Sequence, residues 1–260
     1  ARAGAELGIA EASRTAALLG GVATLVTAPV DDAGADPAAA ARRLVEHEGV
    51  HALVGGGDDA AAAALAGVAG ELGVPLLNVG ATSDGLRRAR CASALTFHVE
   101  ASRRMYDDAI SLAPDGAAGP TPVIWHESLE RYGAAQLNDR FRARFGRGMD
   151  GPAWAGWFAV KALWESAARG SGAADGAGDG AGLARALATS RFDGHKGRRL
   201  SFRAWDGQLR QPLYLVARAG AATSPVEVPA APRGERVDSD ELLDRLGAPA
   251  PAGACAGAEG

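Results

Sequence analysis

The chain has 260 residues, with 27 Lys and Arg against 31 Asp and Glu and a formal charge of −4. That mild acidity excludes a basic footprint for nucleic acid or an anionic membrane. A hydrophobic content of 47% with 22% charged residues excludes wholesale disorder, and no apolar run reaches the roughly 18 residues of a transmembrane helix. The length fits one large domain or two small ones. The 61 Ala, and the 25 Arg against Lys161 and Lys196 alone, read as a coding bias, not a basic surface.

The first half alternates helices and short apolar strands. Residues 3–18 read as a helix and 23–30 as a strand that Pro29 shortens. Asp36 caps a helix with Pro37 at its first position, and that helix runs to about His47. A short strand, 51–54, leads to Asp58 and Asp59, which open an Ala-rich helix ending at Gly73. A strand over 74–79, a short helix over 83–89, a strand over 95–98 and a helix from Ser102 to about Leu112 follow. This order predicts an α/β fold, a Rossmann-like parallel sheet flanked by helices.

The rhythm then breaks. Residues 113–122 are rich in Gly and Pro. Ser128 is predicted to start a long helix with Leu129, Leu137, Phe141 and Phe145 on one face. The helix over 152–168 carries Trp154, Trp157, Phe158 and Trp164, is apolar nearly all round, and should be buried. A Gly/Ala linker spans 170–182 and a helix follows over 183–189. Residues 199–205 and 208–216 read as a hairpin about Asp206-Gly207, a type I′ turn pair. The tail from Ala217 should wander over the surface, apart from a short helix near 238–246. A doubly wound domain usually starts with a strand, and none precedes the first helix here. The second half has almost no parallel strands. Something has therefore been lost.

The two cysteines, Cys91 and Cys255, lie far apart with no CxxC, which leaves no zinc signature. They are one disulfide in an exported protein and free thiols in a cytosolic one. The chain opens at Ala1 without a signal peptide, as a processed or truncated chain would, and leaves the compartment open.

Gly55-Gly56-Gly57-Asp58-Asp59-Ala60 has the G-x-G-x-x-A spacing of a dinucleotide loop. Asp58 and Asp59 put negative charge where a pyrophosphate needs donors. The bland alternative is a Gly turn with an Asp cap. A third is a turn whose N–H groups face a small ligand. Gly80-Ala81-Thr82-Ser83 lies at the carboxyl end of a parallel strand, where open α/β sheets bind ligands. Its N–H groups and hydroxyls either hold a carboxylate or simply cap a helix. His126-Glu127 beside Trp125 either lines a cleft or packs a helix start. His47, His51, His98, His126 and His195 show no metal spacing, and there is no G-x-S-x-G elbow. No cofactor, metal or catalytic residue is expected.

The run ADPAAAARRLVEHEGVHALVGGGDDAAAAALAGVAGELGVPLLNVGATSDGL resembles the first lobe of type I periplasmic binding proteins, the leucine/isoleucine/valine-binding receptors of ABC transporters. RFRARFGRGMDGPAWAGWFAVKALWESA resembles the helix pair of their second lobe, and FDGHKGRRLSFRAWDGQLRQPLYLV the terminal hairpin. WHESLERYGAAQLNDRF with SFRAWDGQLRQPLYLV is similar to the receptors that accompany pyrroloquinoline-quinone-dependent alcohol oxidation.

The resemblance implies a first lobe over 1–100 lacking its first strand. It also implies an abridged second lobe over 101–217 and an irregular tail over 218–260. It implies a non-enzymatic, monomeric, periplasmic receptor for a small polar solute, amino-acid-like or related to alcohol oxidation, with a membrane permease as partner. The implied ligand contacts are Gly56, Gly57, Asp58, Gly80, Ala81 and Thr82, with Ser83 added from the reading of its loop and Trp125 from the cleft reading. The alcohol-oxidation resemblance implies a Cys91–Cys255 disulfide. Asp58 stands where the family usually has Ser or Thr and would repel a carboxylate, so a neutral or cationic ligand fits better. Three rival readings remain: a Rossmann-type enzyme using Gly55–Gly57, a sensor without a transport role, and a remnant that binds nothing.

Overall fold

A computed structural model describes residues 1–28, 36–88, 94–113, 120–170, 180–216, 225–230 and 238–251. Cys91 and Cys255 lie outside these residues, and with them the expected disulfide.

Helix α1, Arg2–Leu18, opens the chain. Asp36 caps α2, Pro37–Glu46, by accepting the Ala38 N–H at 2.9 Å. Asp58 caps α3, Asp59–Leu72, and Gly73 closes it in the left-handed conformation. Each such cap is worth about 1 kcal/mol. Between and after these lie β1 (Leu53–Gly55), β2 (Leu76–Asn78), α4 (Asp84–Arg88), β3 (Thr96–His98) and α5 (Arg103–Ser111), the last capped by Ser102. The three strands form a parallel sheet in the order β1-β2-β3, as the alternation predicts. The expected strand over 23–30 is not formed across residues 23–28. The segment has strand-forming residues but no neighbouring strand to pair with, and Val22 beside it is 87% exposed.

The second half is antiparallel. Strand β4, Thr121–Val123, carries Pro122 and lies at a sheet edge, where a missing N–H costs no ladder bond. The helix expected from Ser128 starts later, as α6, Ala134–Phe145. Tyr132 and Gly133 take left-handed backbone and confine residues 131–133 to a separate 3₁₀ turn. Helices α7 (Gly151–Gly170) and α8 (Gly180–Thr189) follow. Trp154, Trp157 and Phe158 of α7 are at most 1% exposed.

The expected hairpin is split. Strands β5 (Phe192–Asp193), β6 (Arg199–Phe202) and β7 (Leu209–Arg210) make one sheet, and β8 (Leu213–Val216) leaves for another, between β4 and β9 (Val226–Val228). Pro212, without an N–H, separates the two arms. The turn is not type I′: only Gly207 has positive φ, and Arg203 and Gln208 bracket a four-residue loop. The tail does not simply wander. Strand β9 extends the β4–β8 sheet, and α9 (Ser239–Leu243) buries Leu242 and Leu243 completely.

Helices α1 and α7 cross at backbone contact. A Cβ on Gly4 would lie 1.7 Å from the Ala153 carbonyl oxygen, and one on Gly156 would lie 2.1 Å from that of Ala1. The main core runs from Leu77 and Phe97 of the parallel sheet through Trp125, Phe141 and Trp154 to Leu213.

Candidate functional site

The carboxyl ends of β1, β2 and β3 are Gly55, Asn78 and His98, and three loops leave from them. In the first, Gly56 has φ +88°, and a Cβ there would meet Asn78 Oδ1 at 2.7 Å. Glycine is required on both counts. Asp58 spends its carboxylate on the Ala61 N–H at 2.8 Å. The acid therefore stands on the helix N-terminus that a pyrophosphate would need.

The second loop is organised by Asn78. Its Oδ1 accepts the N–H groups of Gly80 (3.2 Å) and Ala81 (2.9 Å), and its Nδ2 donates to the Ala81 carbonyl at 2.8 Å and to His98 Nδ1 at 3.0 Å. The Ser83 N–H goes to Asp59 Oδ1 at 3.0 Å. Gly80 rests on the first loop, where a Cβ would approach the Gly56 carbonyl oxygen to 2.6 Å. Three of the N–H groups expected to hold a ligand carboxylate, those of Gly80, Ala81 and Ser83, are thus spent inside the protein.

Behind the loops is a buried polar layer. Arg87, 3% exposed, donates to the carbonyls of Ser83 (2.8 Å) and Glu100 (2.7 Å) and to Gln208 Oε1 (2.7 Å). Burial lowers its pKa to about 10. Gln208 Nε2 donates to the carbonyls of His98 and Glu100, both at 3.1 Å, and Gln211 Nε2 to that of Val99 at 2.7 Å. Lys196 is fully buried. It donates to the Ile124 carbonyl (2.6 Å), Gln211 Oε1 (2.7 Å) and the Pro212 carbonyl (3.3 Å), with the Trp154 ring 3.8 Å away. Burial pushes Lys196 well below the ordinary lysine range. These contacts fasten residues 98–101, 124 and 208–212 where they cross between the parallel and antiparallel halves.

A cavity of about 580 Å³ opens beside that crossing. One wall is Gly80, Thr82, Glu100 and Tyr106, at the ends of the parallel strands. The other is residues 122–127 and 147–152. Trp125 is 1% exposed, donates through Nε1 to Asn138 Oδ1 at 2.9 Å, and stacks on Trp154 at 5.9 Å. It lines the cavity and packs the core at once. Asp150 Oδ1 caps α7 at Ala153, and its Oδ2 pairs with Arg147 at 3.1 Å. Glu127 pairs with Arg142 at 3.1 Å.

Of the residues singled out from sequence, Gly80, Thr82, Trp125, His126 and Glu127 line the cavity. Gly56, Gly57, Asp58, Ala81 and Ser83 do not. Glu100, Tyr106, Arg147 and Asp150 line it without having been anticipated. Glu100 was findable, since it lies two residues past β3, as Gly80 lies two past β2, and obeys the same strand-end rule. Among the described residues, no group of three or more His, Cys, Asp or Glu is placed to hold a metal ion.

No protein-family model and no curated protein matches the sequence. Solved structures do. The branched-chain amino acid transporter substrate-binding protein LivJ of Streptococcus pneumoniae, in complex with isoleucine, superposes with TM-score 0.71 at 18% identity. The match covers 87% of this chain and 93% of that one. An ABC-type branched-chain amino acid transporter protein of Rhodopseudomonas palustris gives 0.70 at 14% identity, over 95% and 94%. A solute-binding protein of R. palustris in complex with benzoate gives 0.68 at 16% identity, over 87% and 89%. The fold is that of type I periplasmic binding proteins.

Proposed function

We propose that this chain is the solute-binding protein of an ABC transporter. It works outside the cytoplasm as a single chain, takes a small polar solute into the cleft, and presents it to a membrane permease without altering it. The observation that carries this reading is the place of the cavity. One wall is built from the carboxyl ends of parallel strands, the other from the β4 and α6–α7 segments, on a fold shared with proteins solved with isoleucine and benzoate. The lobes are 1–100 and 101–217, with 218–260 as a tail, and closure hinges where 98–101 crosses 208–212. Gly80, Thr82 and Trp125 touch the solute. Gly56, Gly57, Asp58, Ala81 and Ser83 hold the loops behind it.

Thermal melting against amino acids, amines, alcohols, small acids and NAD(P) tests this. A solute at a hundred times its Kd stabilises by about 2.7 kcal/mol, a shift of several degrees or less at this size. A shift with one class of small solute supports the receptor. A shift with a dinucleotide alone replaces it by a Rossmann-type enzyme using Gly55–Gly57.

A further inference from the structure

Glu100 is the one carboxylate of the cleft that makes no ion pair within 4.0 Å among the described residues. It is only 6% exposed. Its Oε1 accepts the Ala101 N–H at 3.0 Å and the Tyr106 hydroxyl. Its Oε2 accepts no hydrogen bond from the described residues. The other acids of the cleft are spoken for: Glu127 by Arg142, and Asp150 by Arg147 and the Ala153 N–H.

The nearest cations are not turned toward the cavity. Arg87 behind Glu100 gives its N–H groups to carbonyls and to Gln208, and Lys196 gives its own to Ile124, Gln211 and Pro212. Neither lines the cleft. An anion entering there finds the Gly80, Ala81 and Ser83 N–H groups already taken, and is left with Thr82 and with Arg147, whose charge Asp150 already meets. The free Oε2 of Glu100 keeps accessible surface, so a donor entering the cleft can reach it.

We propose that Glu100 selects the solute of this cleft, and that the solute is an organic cation without a carboxylate, its ammonium or amidinium group donating to Glu100 Oε2. The assignment rests on the reading of the cleft as the solute site. The charged and titratable groups around Glu100 are Arg87 from α4, Tyr106 from α5 and Lys196 from the segment before β6. Arg147, Asp150, His126 and Glu127 face it across the cleft. Burial pushes the Glu100 carboxyl upward, and the Tyr106 hydroxyl, the Ala101 N–H, Arg87 and Lys196 only partly oppose this. A bound cation lowers it again.

The test uses the full chain. Putrescine, agmatine and ethanolamine are compared with leucine, benzoate and 1,4-butanediol by thermal melting. The best binder then goes to titration calorimetry. The expected result is a shift with an amine. Glu100→Gln, which keeps the Tyr106 and Ala101 contacts, should bind the amine about 100-fold more weakly while melting cooperatively. Binding of leucine or benzoate at equal strength in wild type and Glu100→Gln keeps the receptor and overturns the cation assignment. A panel in which nothing moves the melt overturns both.

Discussion

Oδ1 of Asp59, at the first turn of α3, accepts the backbone N–H of Ser83, just before α4, at 3.0 Å. The bond joins the loop after β1 to the loop after β2. It also occupies a donor that the G-A-T-S sequence offers to a ligand. Two loops that look like separate anion cradles are one cross-braced structure.

The brace is measurable. Asp59→Ala should cost about 1 kcal/mol, since the exposed Ser83 N–H regains water on release. Its signature is local. Hydrogen exchange at the Ser83 amide should accelerate about tenfold, while the β2 amides at Leu76 and Leu77 keep their protection. Unchanged exchange at Ser83 would remove the brace from the account.

Glu100 ties stability to pH. Its folded pKa lies above the ordinary carboxyl value of 4.5. The folded state therefore binds the proton more tightly than the unfolded chain does. That contribution is complete below pH 4.5 and is lost as pH rises through the folded value. Glu100→Gln has no proton to lose. Without ligand it should melt above wild type at pH 8, and the gap should close toward pH 4. Each tenfold difference in proton affinity is worth about 1.4 kcal/mol. A pH-independent gap would contradict the sign.

Lys196 is the centre of the crossing between halves. Lys196→Met keeps the volume and removes donors from the Ile124 and Pro212 carbonyls and from Gln211 Oε1. Buried acceptors without donors cost about 1–3 kcal/mol each before relaxation. A net loss of about 3 kcal/mol, read as a fall in the urea midpoint at unchanged slope, is expected. A neutral result would show that the crossing does not need the amine.

Two glycines should respond oppositely to alanine. Gly4→Ala drives a Cβ to 1.7 Å from the Ala153 carbonyl oxygen, and two backbones must part. About 2–3 kcal/mol of destabilisation follows, or some 4–12 °C in Tm at this length. Gly67, inside α3, has nothing within 4 Å of its Cβ position. Gly67→Ala should stabilise by about 0.5–1 kcal/mol through helix propensity. Thermal melts of the two variants side by side read both signs.

Much of the fold was legible because its signals are local. Asp36-Pro37, Asp58-Asp59 with Gly73, and Ser102 mark helix ends through the few backbone groups next to them. The short apolar runs between them mark the parallel strands. Where a boundary depends on a distant partner, the reading missed. Residues 23–28 have the residues of a strand but no neighbour, 226–228 form one because β8 lies beside them, and 208–216 divides because β8 has two partners of its own.

The site divides the same way. The sequence by itself determined the α/β alternation, the helix caps, and the rule that ligands meet the loops after Gly55, Asn78 and His98, because adjacent residues carry those signals. Only the tertiary structure decided which atoms in those loops remain available. Asn78 and Asp59 consume the Gly80, Ala81 and Ser83 N–H groups, Arg87 and Lys196 are turned to carbonyls, and Glu100 keeps an unused oxygen in the cleft. Hydrogen-bond capacity is finite, and its spending is settled between residues far apart in the chain.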